Sequence, residues 1–529
     1  MVVFSKHGFF QHPVRPPGWK PGDTAAKDGC RYGGSHCSSP AARILLLQNE
    51  KSCHDWDMSL PVISIAQMRE WERATWETGQ TEAEVIPRVA GKIAQRALQL
   101  TRSGDAILIL AGKGHNGDDA RATREFLTDR RVETLDVIAP ESKLPELERA
   151  LSQKPALVID GLFGIGLNRP LADDWKKIIK TVNQSGIPVL AVDVPSGLNA
   201  GTGEPASPGV AVEAAVTLTI GAPKTGLLAP NAWPFVGRLE VADDVGLIPC
   251  PHTSELNWTL PEDFQNFPAR RSVAGHKGTF GHLGIIAGSF GFHGAAILAA
   301  RAALRAQPGL ITLFTQESVY HVVATQLQAA MVNLWTPDLK LPDTVSAVLV
   351  GPGLAAPGLF DAMSHIMRRL WRDSPLPIIV DASTLDWLPM GPSAKNVIRI
   401  VTPHPGEAAR MLSTTKQQVQ LNRPKAAREI SRRYGNCWVV LKGHQTLVGR
   451  NDGEIFVNPS GNPHLAQGGS GDVLAGYLAG LFAQRPLPED AGKLIRFAVW
   501  QHGAAADALQ ASRANWVVAD LVDDLGNAR

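Results

Sequence analysis

Several segments of this chain set a carboxylate beside a glycine-rich turn. Gly112-Lys113-Gly114-His115-Asn116-Gly117 fits the pattern GxGxxG directly after the apolar run Ala106 to Ala111. Glycines there let backbone N–H groups approach a phosphate, and the helix that follows adds its N-terminal dipole. The continuation Asp118-Asp119-Ala120 departs from a dinucleotide fingerprint, which closes on small or apolar residues. Two adjacent carboxylates repel a pyrophosphate unless a cation lies between them. Asp160 and Asp193 each end a further apolar run; a glycine-rich turn carrying Arg169 follows Asp160, and Ser196 stands three residues beyond Asp193. In open parallel sheets the ligand crevice lies outside such strand ends. Asn116, Asp160, Asp193 and Ser196 are therefore expected to converge as oxygen donors around a hard cation, leaving the glycine turns and Arg169 for phosphate. Taken singly, each Asp reads better as a helix cap; three in one sheet favour a site.

The second half carries a different set. Gln467-Gly468-Gly469-Ser470-Gly471-Asp472 opens an apolar helix running to about Phe482. Consecutive N–H groups at that turn make a pocket for a transferring phosphoryl group, and Asp472 stands where it can take a proton from an attacking hydroxyl. The competing reading is an Asp that only stabilises a helix N-terminus. Lys442 and Thr446 follow one strand, and His404 and Glu407 follow another in a proline-held turn. His404 suits either a general base or a neutral hydrogen-bonding role, the second being preferred because Asp472 already fits the base. Gly351-Pro352-Gly353 and Gly288 to Ala296 close two more strands. No GxxxxGK[ST] occurs at any of these turns, which excludes P-loop chemistry.

The elements that must position these residues are short apolar runs alternating with helical patterns. A Ser64-x-x-Gln67 capping box opens the first helix, with Met68, Trp71 and Thr75 at helical spacing. Strands are expected at 106–111, 132–138, 156–159, 188–192 and 215–220, then at 282–287, 310–314, 347–350, 378–380, 397–401, 438–441 and 455–457. Alternation of this kind implies mostly parallel sheets covered on both faces. Between Val241 and Gly275 four prolines interrupt the pattern. The organisation read from this is a disordered extension over 1–57, a Rossmann-like α/β domain over 58–248, a linker over 249–259 and a ribokinase-like α/β domain over 260–529.

Composition bounds the partners. In 529 residues, 52 Lys and Arg against 50 Asp and Glu leave a net charge of +2, so no basic field marks a nucleic-acid partner. No run approaches the ~20 apolar residues of a membrane span. Three of five cysteines (Cys30, Cys37, Cys53) lie in the first 53 positions, and their spacings fit no zinc pattern. The body lacks a disulfide framework, so a cytoplasmic protein is expected.

The glycine segment, DGLFGIGLNRP and VDVPSGLNAGTG resemble the NAD(P)H-hydrate epimerase domain from about Pro61 to Ile248. This resemblance implies epimerisation of hydrated NADH and NADPH with a bound K+ ion held by Asn116, Asp160 and Ser196. It implies that His115, Asn116, Gly117, Asp118 and Asp119, the turn Gly164, Ile165, Gly166, Leu167, Asn168, Arg169 and Pro170, and Asp193 bind substrate, with Asp193 moving the proton. The chain departs from the family's Asn-Asn-Gly-Gly-Asp-Gly at His115, Asp118 and Ala120, and Asp118 is expected to weaken the epimerase. HKGTFGH, the GPGL turn, TPHPGE, KGHQT and GGSGDVLAG resemble the ADP-dependent NAD(P)H-hydrate dehydratase domain of the ribokinase-like superfamily, from about Leu260 to Leu525. That resemblance implies phosphorylation of the C6 hydroxyl of the S hydrate by ADP with Mg2+, then loss of phosphate, releasing AMP. Asp472 is the implied base. Gly469, Ser470 and Gly471 form the anion hole, and Lys442, Gly443, His444, Gln445 and Thr446 hold the nucleotide. Ala295, Gly353, His404 and Asp472 contact the hydrate. A homo-oligomer is expected. The alternative reading is a ribokinase-like small-molecule kinase joined to a non-catalytic nucleotide-binding domain.

Overall fold

The computed structural model describes residues 60–527 other than 269, 395 and 488. The expected extension and its three cysteines lie outside the described residues. Strand β1 (Leu60–Pro61) precedes a first sheet built from β2 (Ala106–Ala111), β3 (Arg131–Asp136), β4 (Leu157–Gly161), β5 (Val189–Val192), β6 (Val216–Ile220) and β7 (Arg238–Ala242). All its pairings are parallel, in the order β3-β2-β4-β5-β6-β7. The apolar run of β2 does not alternate with polar residues because both faces are covered. Ile107 and Ile109 pack with Val89, Ile93 and Ala97 of the helix Glu82–Leu100. Leu108 and Leu110 pack on the other face with Leu147, Ile178 and Val182, from the helices Pro140–Ser152 and Asp173–Gln184.

β8 (Leu256–Trp258) follows, then β9 (His282–Ile286), β10 (Leu310–Thr315), β11 (Met331–Leu334), β12 (Ala347–Val350), β13 (Ile378–Val380), β14 (Arg399–Val401), β15 (Trp438–Leu441), β16 (Leu447–Gly449) and β17 (Ile455–Val457). Their sheet runs β1-β8-β17-β16-β15-β14-β13-β12-β9-β10-β11, parallel from β15 to β11. The expected linker is corrected here: its last part forms β8, which pairs with β17 and, through Leu60 opposite Trp258, with β1. Proline density hid a three-residue strand too short to show a period. The strands β1, β7, β11 and β16 were also not expected, being short or half-polar.

In each sheet the strand order reverses once near the centre, between β2 and β4 in the first and between β9 and β12 in the second. A doubly wound sheet opens a crevice at such a point, where successive connections leave in opposite directions. Both crevices coincide with glycine turns identified in the sequence.

Candidate active sites

The first crevice is a cavity of 560 Å³ above the ends of β2, β4, β5 and β6. The helix after β2 starts at His115. Gly117 is required there because a Cβ would sit 2.1 Å from the Gly112 carbonyl oxygen. His115, Asn116, Gly117 and Asp119 line the cavity, as do Gly164 to Arg169 and Asp193. Asp118 and Pro170 lie outside the cavity lining. The helix turns Asp118 outward, where its Oδ1 accepts from Arg121 Nη1 at 2.7 Å. Arg121 also holds Asp136 and the Gly112 carbonyl at 2.6 Å each, so Asp118 belongs to a surface network beside the phosphate-type turn.

Behind the turn, Asn116, Asp160 and Ser196 come together around the Phe163 peptide. Ser196 donates its hydroxyl and backbone N–H to Asp160 at 2.6 and 2.8 Å, and its Oγ accepts from Phe163 N at 2.9 Å. Asn116 Nδ2 donates to Phe163 O at 3.0 Å. The Asp160 carboxylate is fully buried, and burial pushes its pKa up to about 6 against the hydrogen bonds from Ser196 and Leu162. None of its hydrogen bonds comes from a cation. A buried anion among oxygen donors is the chemistry that receives a hard monovalent cation.

Asp193 leaves the end of β5 with φ +61, a backbone conformation rare outside glycine and Asn. Its Oδ1 accepts from Lys224 Nζ at 2.6 Å, Ile220 N at 3.0 Å and Thr219 Oγ1 at 3.1 Å. Lys224 is fully buried, and its ammonium also donates to Ile220 O at 2.7 Å. Glu72 and Asp119 complete an acidic wall in the cavity. Burial, then the charge of Asp193, raises both carboxyls, Asp119 to about 8. Sequence reasoning missed Glu72 and Lys224. Lys224 follows the strand β6 after Gly-Ala-Pro, the same strand-end signal that singled out Asp160 and Asp193.

The second crevice gathers residues from five strand ends. Gly353 has φ +68, and a Cβ there would lie 2.3 Å from Phe292 O and 3.0 Å from Ala295 Cβ, so the loops after β9 and β12 touch. Asp381, immediately after β13, was also missed. Its Oδ1 accepts from Thr402 Oγ1 at 2.6 Å and Lys442 Nζ at 2.7 Å. Lys442 Nζ also lies 4.0 Å from Glu407 Oε2. Burial opposes the ammonium charge, but Asp381 and Glu407 outweigh it and hold its pKa above the usual value. A Cβ at Gly471 would be 3.2 Å from that ammonium, which places the GGSGD turn directly over it. The helix Ser470–Ala483 begins there, with Gly469 at φ +95 as its cap. Burial, with Asp381 and Glu407 adding, raises Asp472 to about 7, while Lys442 opposes. His404 Nδ1 accepts from Gly406 N at 2.9 Å, so that nitrogen carries no proton and the ring is neutral. Burial lowers its pKa in the same sense.

Two α/β domains, each with a strand-end crevice that pairs acidic groups with a lysine, define a fused two-site α/β enzyme. Residues 283–527 match the NAD(P)H-hydrate dehydratase family, and residues 130–226 match the YjeF-related protein N-terminus family. The chain is 35% identical over 468 residues to the bifunctional NAD(P)H-hydrate repair enzyme Nnr of Coxiella burnetii, covering 83% of this chain and 93% of that one. It is 32% identical over 428 residues to the Escherichia coli enzyme of the same name, covering 76% and 81%. Among solved structures, an ADP/ATP-dependent NAD(P)H-hydrate dehydratase from Bacillus subtilis, co-crystallised with ATP and Mg2+, aligns at 31% identity and TM-score 0.46, covering 51% of this chain and 96% of that one. The chain belongs to the bifunctional NAD(P)H-hydrate repair enzyme family. Among the described residues, no helix is long and apolar enough to cross a membrane.

Proposed function

We propose that the first crevice interconverts the R and S epimers of hydrated NADH and NADPH, and that the second uses ADP to dehydrate the S epimer. Inversion at the hydroxyl-bearing C6 needs a group that takes and returns a proton. Asp193 suits this: its Oδ1 is pinned by three donors, and its carboxylate lines the cavity. Asn116, Asp160, Ser196 and the Phe163 carbonyl are the residues that would hold K+, which supplies positive charge beside the substrate's phosphates. Arg169 and the turn before it bind those phosphates.

In the second crevice Asp472 accepts the C6 hydroxyl proton as the hydroxyl attacks the β-phosphoryl group of ADP, and AMP leaves. Phosphate then departs from C6 while C5 loses a proton to water, and the C5–C6 double bond of the ring returns. The N–H groups of Gly469, Ser470 and Gly471 receive the phosphoryl charge, and Lys442 to Thr446 hold the nucleotide. His404, neutral and with Nε2 3.5 Å from Glu407 Oε1, orients the hydrate together with Ala295 and Gly353. Asp381, Glu407 and Asp472 outnumber the one ammonium of Lys442, so the crevice has an excess of negative charge that fits Mg2+ brought in on the nucleotide phosphates. Among the described residues, no cluster of three or more His, Cys, Asp or Glu side chains is placed to hold a metal unaided. The low cysteine content of the body fits a reducing, cytoplasmic setting.

The observation that carries this reading is the family membership across both domains together with a poised carboxylate in each crevice, Asp193 in one and Asp472 in the other. Supplying pure R hydrate with ADP and Mg2+ tests it. Recovery of the reduced cofactor's near-ultraviolet absorbance is expected to outrun spontaneous epimerisation. Recovery at the spontaneous rate removes the epimerase, and a stable phosphorylated alcohol as product favours the kinase alternative.

A further inference from the structure

Beside the second crevice, the two domains meet through contacts that neither reaction explains. The short helix Trp233–Val236 leads into β7 of the first sheet. The ring of Trp233 meets the ring of His444 edge-on, with centroids 5.2 Å apart and planes at 73°. His444 belongs to the loop after β15, where Gly443 has φ +132 and Gln445 φ +53. A backbone in that state relaxes unless it is held. Arg423 holds it: its guanidinium donates to the carbonyls of Leu441 at 2.9 Å, Lys442 and Gln445 at 3.3 Å, and His444. Arg423 lies 5.8 Å from the centroid of the same Trp233 ring, so the tryptophan flanks both the loop and its clamp.

A second tie runs parallel to the first. Arg238 of β7 reaches Asp507 at 2.8 Å, and Asp507 accepts from Gly461 N at 3.0 Å and Asn462 Nδ2 at 3.1 Å. Gly461 and Asn462 stand a few residues before the GGSGD turn. Both loops that frame Asp472 are thus fastened to the first domain.

We propose that Trp233 of the epimerase domain is a positioning residue for the nucleotide site of the dehydratase domain. It keeps the 442–446 loop in its binding shape, so that ADP affinity is set partly by the neighbouring domain. The inference rests on reading that loop as the nucleotide loop. The indole Nε1 is buried with no hydrogen-bond partner, so the hold is one of ring packing, and phenylalanine is the conservative replacement.

The test measures ADP binding by calorimetry and the dehydratase KM for ADP and kcat, using the full chain. An edge-to-face ring contact of this kind corresponds to roughly a 2- to 12-fold change in affinity. Trp233→Ala is expected to raise Kd and KM for ADP by that factor with kcat little changed, and Trp233→Phe to restore most of it. Gly443→Ala, which strains the loop directly, is measured alongside. If Gly443→Ala weakens ADP and Trp233→Ala does not, the inference is overturned while the nucleotide loop stands. If neither variant affects ADP, the loop reading fails and takes the inference with it. A Trp233→Ala protein that loses epimerase turnover and melting midpoint together overturns the positioning role in favour of general packing.

Discussion

Lys224 Nζ lies 2.6 Å from Asp193 Oδ1 in a place where the lysine side chain has no solvent exposure and the aspartate 9%. An equivalent contact, 2.7 Å between Lys442 and Asp381, sits in the second crevice with the lysine 18% and the aspartate 3% exposed. The roles are inverted. In the first site the paired carboxylate is the group assigned to proton transfer; in the second the pair stands behind the working carboxylate, Asp472, and sets the potential it feels.

Breaking a buried pair by removing one partner leaves an uncompensated charge and costs about 3–5 kcal/mol. Lys224→Met is therefore expected to lower unfolding stability by that order and to abolish most epimerase turnover. Asp193→Asn should lose about 10²- to 10⁴-fold in turnover, the worth of an acid–base group. The double variant should regain much of the stability and none of the activity. Urea unfolding and R-hydrate conversion, with separate dehydratase in excess, measure the two effects. Wild-type stability in Lys224→Met would show that the pair is not a structural unit.

Much of the two sites was legible in the sequence because βα loops carry their chemistry at fixed points after apolar strands. Asp160, Asp193, His404 and Lys442 all stand at such points; Asp193 lines the first cavity, and Asp160 lies fully buried behind its glycine turn. Asp381 and Lys224 obey the same rule but lack a glycine cluster to draw attention. Glu72 was illegible for a different reason: it lies on the helix Ile65–Glu77, and only tertiary packing brings that helix over the cavity. β8 and β1 were missed because two or three residues hold no period, and their pairing is decided by the edge they complete.

Asp118 shows the converse, a residue whose position suggested harm. Sequence places a charge where backbone should meet ligand, whereas the helix directs that charge to Arg121 on the surface. Exposed pairs of this kind contribute about 0–1 kcal/mol. Asp118→Gly is accordingly expected to leave the epimerase kcat/KM within about fivefold of the parent, apart from helix propensity effects on stability. A large gain in turnover on this substitution would mean that Asp118 does obstruct the site.

The Asp160 cluster predicts ion-specific stabilisation. A cation that binds only the folded protein raises stability by about 1.4 kcal/mol at ten times its Kd. The melting midpoint should therefore be higher in potassium than in lithium or choline chloride at equal ionic strength. Asp160→Asn should erase the difference, since it removes the charge while keeping the carboxylate's shape. Equal midpoints in all three salts for the parent protein would remove K+ from this site.

Asp472 yields the most specific pH dependence, and the sign follows from its environment. Burial, reinforced by Asp381 and Glu407, lifts it to about 7, and Lys442 only partly offsets this. A base works deprotonated, so the dehydratase kcat/KM for the S hydrate should rise with pH, fall about tenfold per unit below the bend, and bend near 7. Removing Lys442 deletes the opposing charge and should move the bend upward, provided turnover remains measurable. Stability runs the other way. A carboxyl with a raised folded-state pKa binds its proton more tightly when folded, so its contribution is fully present below the unfolded value near 4 and is lost as pH rises through about 7. Asp472→Asn should flatten that part of the stability profile, being stabilising above pH 7 and close to neutral near pH 4, while losing about 10²- to 10⁴-fold in turnover. Chemical denaturation across that range, run beside the pH–rate profile, separates the two roles. A variant that keeps turnover while flattening the stability curve would leave Asp472 as a buried acid and pass the base role to another group.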